Sequence, residues 1–252
     1  MKKVCIESVG RKVSLVKAFQ EAGWDVYGQD LNPNAPALKF CKQIVGGVYL
    51  SDYLWIPTRD AEIADAWSIN GWDSHPIEIC VDKLRFHEWC KENGFKSPEV
   101  YFVKPRISKS GKEVECVWQE KLVGEEYSVD VFLDFNSKPI SAVPRKRVLV
   151  SNGEASVTTT VTHQGLLEES LSLAKSLRLV GHNVLQAFVD GQKITWTDVN
   201  CRFGGASIVA IKAGCKSPEW LLKLVNGEMV KPVIGDYKVG LTGYSYTEWL
   251  FT

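Results

Sequence analysis

Apolar residues in the first 30 positions recur with the period of a strand, then of a helix, then of a strand again. Leu15, Val16 and Phe19 fall on one face of the helical stretch, which short apolar runs flank on both sides. The predicted elements are a strand over residues 3–9, a helix over 12–22 and a strand over 24–28. Strand, helix and strand at these lengths predict a right-handed parallel unit, and therefore a small α/β domain.

The next stretch is less regular but ends in a clear helix signal. Residues 53–57 have the pattern of a strand and residues 59–67 that of a helix. Asp82 occupies a position typical of a helix N-cap, and Asn93-Gly94 is a typical helix end. A helix is therefore predicted between them.

After residue 100 the pattern changes to alternating apolar and polar positions, which indicates antiparallel sheet. Turn residues fall at 110–111, 136–137 and 152–153. The later predicted elements are a helix over 166–177, a hairpin of strands over 183–189 and 193–199, and short helices over 206–213 and 218–224. The fold class predicted for the chain is α/β (α+β), with a parallel N-terminal domain followed by antiparallel sheets.

The composition of the chain indicates which binding partners and which cellular location to expect. At 252 residues with 45% apolar residues, the chain can bury a substantial core. The 30 basic residues balance the 30 acidic ones, so neither nucleic acid nor a membrane is expected as the main partner. The 7 cysteines form no C-x-x-C pair, and the start lacks the pattern of a signal peptide. These features favour reduced thiols and a cytoplasmic location.

The predicted hairpin carries the most informative polar residues. Asp198, Asn200 and Arg202 alternate along its second strand and therefore share one face. Gln186 lies on its first strand. Carboxylate and carboxamide oxygens are suitable ligands for Mg2+, and an arginine fork binds phosphate oxygens. The pattern indicates a site for Mg2+ and a triphosphate; the alternative is a polar strand that faces solvent.

Further fragments occur in a fixed order along the chain: Val9-Gly10-Arg11, Asp30-Leu31-Asn32-Pro33, Asp82-Lys83, Lys104-Pro105-Arg106, Gln119-Glu120, Gly124-Glu125-Glu126 and Pro144-Arg145-Lys146-Arg147. With these fragments and the hairpin, the sequence resembles the ATP-grasp superfamily, in particular the branch of the carbamoyl-phosphate synthetase large subunit and biotin-carboxylase-like amino-acid ligases. The resemblance covers nearly the whole chain. It implies a pre-ATP-grasp domain over residues 1–80 and an ATP-grasp domain over 81–252, with a reduced lid at about 96–133.

The resemblance also implies a set of site residues. Lys83 and Lys104 are expected to neutralise the phosphates of ATP, and Glu126 to accept hydrogen bonds from the ribose. The adenine is expected at a hinge formed by Glu120, Lys121, Leu122 and Val123. Magnesium ions are expected on Gln186, Asp198 and Asn200. The candidates for holding the transferred phosphoryl group and the carboxylate are Arg145, Arg147 and Arg202.

The reaction implied is an ATP-dependent ligation. A carboxylate attacks the γ-phosphate of ATP to give an acyl phosphate, and an amine or similar nucleophile then displaces phosphate. ATP and Mg2+ are the expected cofactors, small-molecule carboxylates and nucleophiles the expected partners, and a homodimer is possible by analogy. Two alternatives are a nucleotide-binding regulatory relative without turnover and a kinase on the same fold.

Two features depart from the family pattern. The strand that carries the metal ligands has Asp198 where the family usually has glutamate, and a shorter carboxylate is less suited to bridging two ions. The loop after Lys104 has one glycine, Gly111, where the family usually has several that donate backbone N–H groups to phosphates. The lid is therefore predicted to be short, and its closure is the family property that this sequence supports least.

Overall fold

The computed structural model describes residues 2–44, 49–107, 113–151 and 153–251; for 102–107 and 113–118 only the backbone is described. The seven α-helices within these ranges are α1 (Val13–Glu21), α2 (Ile63–Ile69), α3 (His75–Cys80), α4 (Lys83–Glu92), α5 (Gln164–Ser176), α6 (Ser207–Ala213) and α7 (Ser217–Val225), and two 3-10 helices span Pro36–Phe40 and Asp60–Glu62. None of these helices is long and apolar enough to cross a lipid bilayer.

The N-terminal part contains a parallel sheet of four strands. These are β1 (Lys3–Ile6), β2 (Asp25–Gly28), β3 (Lys42–Gln43) and β4 (Tyr53–Ile56), in the order β3-β2-β1-β4. Helix α1 connects β1 to β2 and packs Leu15, Val16 and Phe19 into a core shared with Val4 and Ile6. The α/β unit expected from the first 30 residues is therefore present.

The rest of the chain forms two antiparallel sheets. A hairpin of β5 (Val100–Ile107) and β6 (Glu113–Gln119) stands as a separate two-stranded sheet. The larger sheet contains β7 (Glu125–Leu133), β8 (Pro139–Ser151), β9 (Glu154–Thr160), β10 (Gly181–Asp190), β11 (Lys193–Asn200) and β12 (Thr242–Tyr244). Its strand order is β11-β10-β7-β8-β9-β12. A parallel sheet followed by antiparallel sheets confirms the predicted fold class.

The six-stranded sheet has two chemically different faces, because successive side chains of a strand point to opposite sides. On one face, Tyr127, Val129 and Val131 join a core formed with apolar residues of α2 to α5. On the other face, Phe132 and Val143 pack against the core of the N-terminal part. This second face also carries a row of polar side chains, and the candidate site lies there.

Several boundaries differ from those predicted. Strand β1 ends at Ile6, before the predicted end at residue 9, because the chain turns at Ser8, whose φ is 43°. Helix α3 and strand β12 were not predicted, since each is too short to show a period. Residues 125–133, which the sequence placed in the reduced lid, form β7 and pair with both β8 and β10. The two-stranded sheet that matches the predicted lid is therefore shorter, from 100 to 119.

The helix predicted after Asp82 is confirmed with its cap. The Asp82 carboxylate accepts hydrogen bonds from the backbone N–H of Leu84 at 2.9 Å and of Arg85 at 3.2 Å. These bonds satisfy two of the amide donors that the first turn of a helix leaves free. They also fix Lys83 as the first residue of α4.

Candidate functional site

A row of polar side chains crosses the six-stranded sheet on the face that points away from the core of α2 to α5. The register places Asp198 of β11 beside Gln186 of β10, and Gln186 beside Ser128 of β7. Ser128 lies in turn beside Arg145 of β8. Because paired residues share a face, a carboxylate, a carboxamide, a hydroxyl and a guanidinium follow one another across the sheet.

Asn200 and Arg202 extend this row towards the N-terminal part. Asn200 Nδ2 lies 3.5 Å from Asp198 Oδ2, and Arg202 Nη2 donates to Asn200 Oδ1 at 2.9 Å. Arg202 Nε donates to Asp60 Oδ1 at 2.7 Å, in the segment between β4 and α2. The structure thus brings together Asp198, Asn200 and Arg202, as the alternation along the strand predicted. It adds Asp60, which no local pattern indicates because it lies 142 positions away in sequence.

The electrostatic environment of Asp198 is unfavourable for a bare carboxylate. Burial raises the pKa of Asp198 above its ordinary value, and the charge of Asp60 acts in the same direction. The positive charges of Lys83 and Arg202 and a hydrogen bond from Asn200 oppose that rise. A bound cation would lower the cost of keeping Asp198 ionised, so the chemistry of this position suits a cation ligand.

Two lysines, Lys83 and Lys104, are predicted to contact the phosphates of ATP. Lys83 is exposed at the start of α4, and its positive charge acts to lower the pKa of Asp198, so it lies within electrostatic range of the polar row. The backbone of Lys104 lies in β5, opposite Cys116 of β6. The side chain of Lys104 lies outside the described residues, and its predicted role stays a prediction.

Glu126 and Arg147 form an ion pair beside the row. Arg147 Nε lies 3.2 Å from Glu126 Oε1, and the Arg147 side chain is only 5% exposed. Arg147 Nη2 also donates to the carbonyl of Gly153 at 2.7 Å. Both residues lie on the face of the sheet that carries the polar row, two positions along β7 and β8 from Ser128 and Arg145. The predicted contacts of Glu126 with ribose and of Arg147 with a phosphoryl group stay predictions. A ligand bound there would compete with the ion pair between Glu126 and Arg147.

The predicted hinge connects β6 to β7. The backbone N–H of Glu120 donates to the carbonyl of Glu99 at 2.9 Å, and Glu120 Oε1 accepts from the N–H of Glu99 at 3.3 Å. Lys121 is exposed, Leu122 is half-buried, and Val123 is 76% exposed. The segment therefore presents apolar surface to solvent, as a flat adenine ring would require.

Gly124 ends the hinge in a conformation that other residues adopt at a cost. Its φ is 116°, and a Cβ at this position would lie 2.3 Å from the carbonyl oxygen of Val189. This close approach holds the hinge against the end of β10.

Arg145 has a different position from the one expected of a catalytic residue. Its guanidinium donates to Asp130 Oδ2 from Nε at 2.6 Å and to Thr158 Oγ1 from Nη1 at 3.2 Å. The Arg145 and Asp130 side chains are 2% and 0% exposed. Burial acts to raise the pKa of Asp130, but the charge of Arg145 and the hydrogen bond with His182 outweigh it and hold that pKa at about 2. Since its donors are engaged inside the protein, the structure does not support the predicted contact of Arg145 with a phosphoryl group.

His182 links this buried pair to the segment that follows β11. Its Nε2 lies 3.0 Å from Asp130 Oδ1 and 3.1 Å from Ser207 Oγ, and Ser207 Oγ accepts from the N–H of Gly204 at 2.9 Å. The His182 ring stacks on Phe203 with centroids 4.1 Å apart. The network therefore fixes the backbone directly after Arg202. The sequence alone does not link His182 to this segment, because Asp130, His182 and Ser207 come from three separate elements.

The oxygen donors in the row fit a magnesium ion in type and placement. Gln186, Asp198 and Asn200 offer one carboxylate and two carboxamides on one face of two paired strands. Among the described residues no group of three or more His, Cys, Asp or Glu side chains is arranged to hold a metal. A single carboxylate is nevertheless sufficient when the ion keeps waters and is also bound by phosphate oxygens.

The parallel N-terminal sheet, the separate hairpin and the polar face of the larger sheet together define the class of protein: an ATP-grasp protein. A family model described as "ATP-grasp in the biosynthetic pathway with Ter operon" matches residues 112–242, just over half of the chain. The chain belongs to this family. Comparison with curated protein sequences gives no significant match.

Solved structures share the fold at low sequence identity. The phosphoribosylaminoimidazole carboxylase ATPase subunit from Aquifex aeolicus superposes with a TM-score of 0.70 at 14% identity, covering 92% of this chain and 78% of that one. Phosphoribosylglycinamide synthetase from Anaerococcus prevotii gives a TM-score of 0.66 at 13% identity, covering 90% and 75%. The biotin carboxylase domain dimer of 2-oxoglutarate carboxylase from Hydrogenobacter thermophilus, in complex with MgADP, ADP and bicarbonate, gives 0.69 at 14% identity, covering 94% and 72%.

Proposed function

We propose that the protein is a Mg-ATP-dependent ligase that activates a carboxylate as an acyl phosphate for attack by an amine or similar nucleophile. The observation that carries this proposal is the row of Gln186, Asp198, Asn200 and Arg202. The register places Gln186 beside Asp198, Asn200 Nδ2 lies 3.5 Å from Asp198 Oδ2, and Arg202 donates to Asn200 Oδ1 at 2.9 Å. A carboxylate, two carboxamides and a guanidinium gathered in this way are costly to place on a sheet face unless a cation and an anion bind there.

Magnesium would be held by Asp198, Gln186 and Asn200, with the remaining ligands from phosphate oxygens and water. When bound, the ion neutralises the phosphates of ATP and so makes the γ-phosphorus accessible to an anionic nucleophile. Lys83 lies within electrostatic range of the row and adds a positive charge. Lys104 is proposed for a second phosphate contact on the strength of the family resemblance.

The adenine is proposed to lie at residues 120–123, where the exposed Val123 and half-buried Leu122 offer apolar surface and the backbone offers hydrogen-bonding groups. Glu126 lies three residues beyond and is proposed to accept from the ribose hydroxyls. The Hydrogenobacter thermophilus domain is in complex with MgADP and bicarbonate, which is in keeping with a nucleotide site on this fold.

Arg202 is the proposed anchor of the transferred phosphoryl group. It lies next to the metal-binding residues, its side chain is 19% exposed, and Asp60 and Asn200 orient its guanidinium. In the proposed reaction a carboxylate oxygen forms a bond to the γ-phosphorus while the bond to ADP breaks. The nucleophile then bonds to the acyl carbon, phosphate leaves with the carboxylate oxygen, and the nucleophile loses a proton. Arg147 is a second candidate, held by Glu126 beside the row.

We also propose that the two parts of the chain bind different substrates. We place the nucleotide in the ATP-grasp domain over 81–252, and part of the acceptor site in the domain over 1–80, which meets the row through Asp60. A homodimer and a cytoplasmic location are proposed by analogy; the Hydrogenobacter thermophilus neighbour is described as a dimer.

ADP release with a panel of substrates tests the proposal. Amino acids and small carboxylic acids are supplied singly and in pairs with Mg-ATP, and ADP is measured by a coupled assay. The proposed ligase releases ADP fastest with one particular carboxylate and requires a second, nucleophilic substrate for sustained turnover. A rate that no carboxylate changes would contradict it.

The single carboxylate in the metal-binding row favours, as a second candidate, a nucleotide-binding relative without turnover. Such a protein would bind Mg-ATP in calorimetric titration but release no ADP with any pair of substrates. A kinase on the same fold would release ADP with one substrate alone and leave it stably phosphorylated.

A further inference from the structure

A cluster of acceptor oxygens lies at the carboxyl edge of the N-terminal parallel sheet. Glu7 follows β1 and Gln29 follows β2, directly beyond the paired residues Ile6 and Gly28. Their backbones are therefore adjacent at this edge, where the N–H of Gln29 donates to the carbonyl of Ile6 at 3.1 Å. Glu62 comes from the segment that leads into α2, and its charge acts on Glu7.

Three oxygens of this cluster are buried without a donor among the described residues. They are Glu7 Oε2, Gln29 Oε1 and Glu62 Oε2. The Glu7 side chain is 4% exposed, so water reaches it poorly. Leaving a buried acceptor unpaired is costly, and three of them together call for a specific reason.

The donors that are present leave these three oxygens free. The Ser8 hydroxyl donates to Glu62 Oε1, and the Tyr49 hydroxyl acts to lower the pKa of Glu7. The Thr58 hydroxyl is shared between the backbone carbonyls of Glu7 and Ser8, at 2.7 and 2.8 Å. Among the residues that the structure describes, these donors bond to other acceptors, and none donates to the three oxygens.

The charged groups that act on Glu7 are acidic. Burial raises the pKa of Glu7 to about 7, and the charges of Glu62 and Asp65 add to that rise. Lys12 Nζ lies 3.4 Å from the carbonyl of Ser8, and its charged neighbours are Arg59 and Arg202 together with the acids Glu62 and Glu154. A ligand group with a positive charge and several N–H donors matches the acidic groups around Glu7.

The cluster borders the candidate active site. Glu62 is two residues from Asp60, whose carboxylate binds Arg202, and Arg202 binds Asn200 of the metal-binding row. A small molecule held at the cluster would therefore lie beside the place proposed for the acyl phosphate.

We propose that Glu7, Gln29 and Glu62 bind the ammonium group of an amine-bearing substrate. The assignment rests on the proposed ligase function, in which an amine is the second substrate. An ammonium group has three N–H donors and one positive charge, so it can satisfy one oxygen of each of the three side chains.

The direct test is a thermal shift with two cations of equal charge. Methylammonium chloride has N–H donors, whereas tetramethylammonium chloride has none. The structure predicts that methylammonium raises the unfolding midpoint by about 2 °C or more in a saturable way, relative to equal tetramethylammonium and sodium chloride. The shift is predicted to disappear in Glu7→Gln and in Glu62→Gln, and to persist in Glu92→Gln, which changes an exposed acid on α4.

Equal shifts with all three salts would overturn the proposal, because they would show a general salt effect without recognition of N–H donors. A methylammonium shift that survives in both Glu7→Gln and Glu62→Gln would also overturn it. Should one variant fail to fold, the other gives the same comparison.

A kinetic measurement separates this proposal from the ligase function itself. If ADP release depends on an amine, Glu7→Gln is predicted to raise the KM for that amine at least tenfold while changing the KM for ATP less than twofold. Amine-dependent ADP release with an unchanged amine KM would reject the ammonium site and leave the ligase standing. A methylammonium-specific shift without any ADP release would reject the ligase function and leave the ammonium site standing.

Discussion

Asp198 is the residue on which the proposed magnesium site depends most, because it is the one carboxylate of the row formed with Gln186 and Asn200. Its burial and the nearby Asp60 make the ionised form costly in the free protein. The same position becomes favourable once a divalent cation is bound, so the cost is consistent with a functional group rather than a structural one.

Replacing Asp198 with asparagine is predicted to lower substrate-dependent ADP release by at least about 100-fold, because the row loses its only full negative charge. The midpoint of thermal unfolding is predicted to stay the same or rise, since a buried charge is removed. Asp190→Asn, an exposed change in the turn of the same hairpin, serves as the control and should keep wild-type activity. ADP release that survives in Asp198→Asn would show that the metal site is elsewhere.

Glu7 gives a prediction on stability. Burial raises its pKa from 4.5 to about 7, so between these values the folded protein holds a proton that the unfolded chain has lost. Stability from this group is therefore greatest below pH 4.5 and is lost as the pH rises through 7. Glu7→Gln is predicted to stabilise the ligand-free protein by about 2–3 kcal/mol more at pH 8 than at pH 5. Urea unfolding at the two pH values measures this, and an equal effect at both would reject the raised pKa.

At this scale, the sequence predicted the residues that belong to one strand. Asp198 and Asn200 were found because side chains alternate with period two. Asp60 and Glu62 were not found, because they meet the site through folding of a segment far away in the chain. The burial of Arg145 beside Asp130 was not predicted, since only the structure brings the two side chains together.

Among the elements, the hinge before β7 is the one with the tightest geometric requirement. Gly124 combines a φ of 116° with the close carbonyl of Val189. Gly191, in the turn between β10 and β11, has a φ of 59°, but a Cβ added there would meet nothing within 4 Å. Substitution at Gly191 therefore measures the destabilisation from a positive φ alone. Substitution at Gly124 adds the destabilisation from the close backbone contact.

Gly124→Ala is predicted to destabilise the protein by about 2 kcal/mol or more and to weaken ATP binding, because the hinge must move away from β10. Gly191→Ala is predicted to cost about 1 kcal/mol and to leave ATP binding unchanged. Urea unfolding and calorimetric titration with Mg-ATP give the two quantities. Similar values for both variants would mean that the close approach does not shape the nucleotide site.

The elements themselves were predicted to the extent that each is long and periodic. The strands of the larger hairpins and helices α1, α4 and α5 follow from apolar periodicity and from the Asp82 cap. Helix α3, with six residues, and strand β12, with three, contain too few positions to show a period. The sequence does not show that β7 joins the larger sheet while β5 and β6 form a separate one, because all three strands have the same alternation.

At the scale of the whole molecule, the two parts of the chain meet in one shared core. Val4, Ile6 and Phe19 from the N-terminal part pack with Phe132 and Trp220 from the rest. The buried network of Arg145, Asp130 and His182 lies on the same face of the sheet as Phe132. The elements that carry the polar row and the acceptor cluster therefore pack against the same apolar core.

Asp130→Ala is predicted to destabilise the protein by about 3–5 kcal/mol, because Arg145 would remain buried without its partner. The double change Asp130→Leu with Arg145→Met should recover a large part of that loss. Glu125→Gln, which removes an exposed pair with Lys146, is the control and should change stability little. Urea unfolding measures all of these, and a small effect of Asp130→Ala would show that the pair is not needed for folding.

The most direct test of the ligase mechanism follows an oxygen atom. A carboxylate substrate found in the ADP-release panel is prepared with 18O in its carboxyl group and incubated with Mg-ATP and the nucleophile. Attack of the carboxylate on the γ-phosphorus predicts one 18O atom in the phosphate released for each product molecule, measured by mass spectrometry. Phosphate that carries only solvent oxygen would contradict an acyl phosphate intermediate and, with it, the proposed ligase.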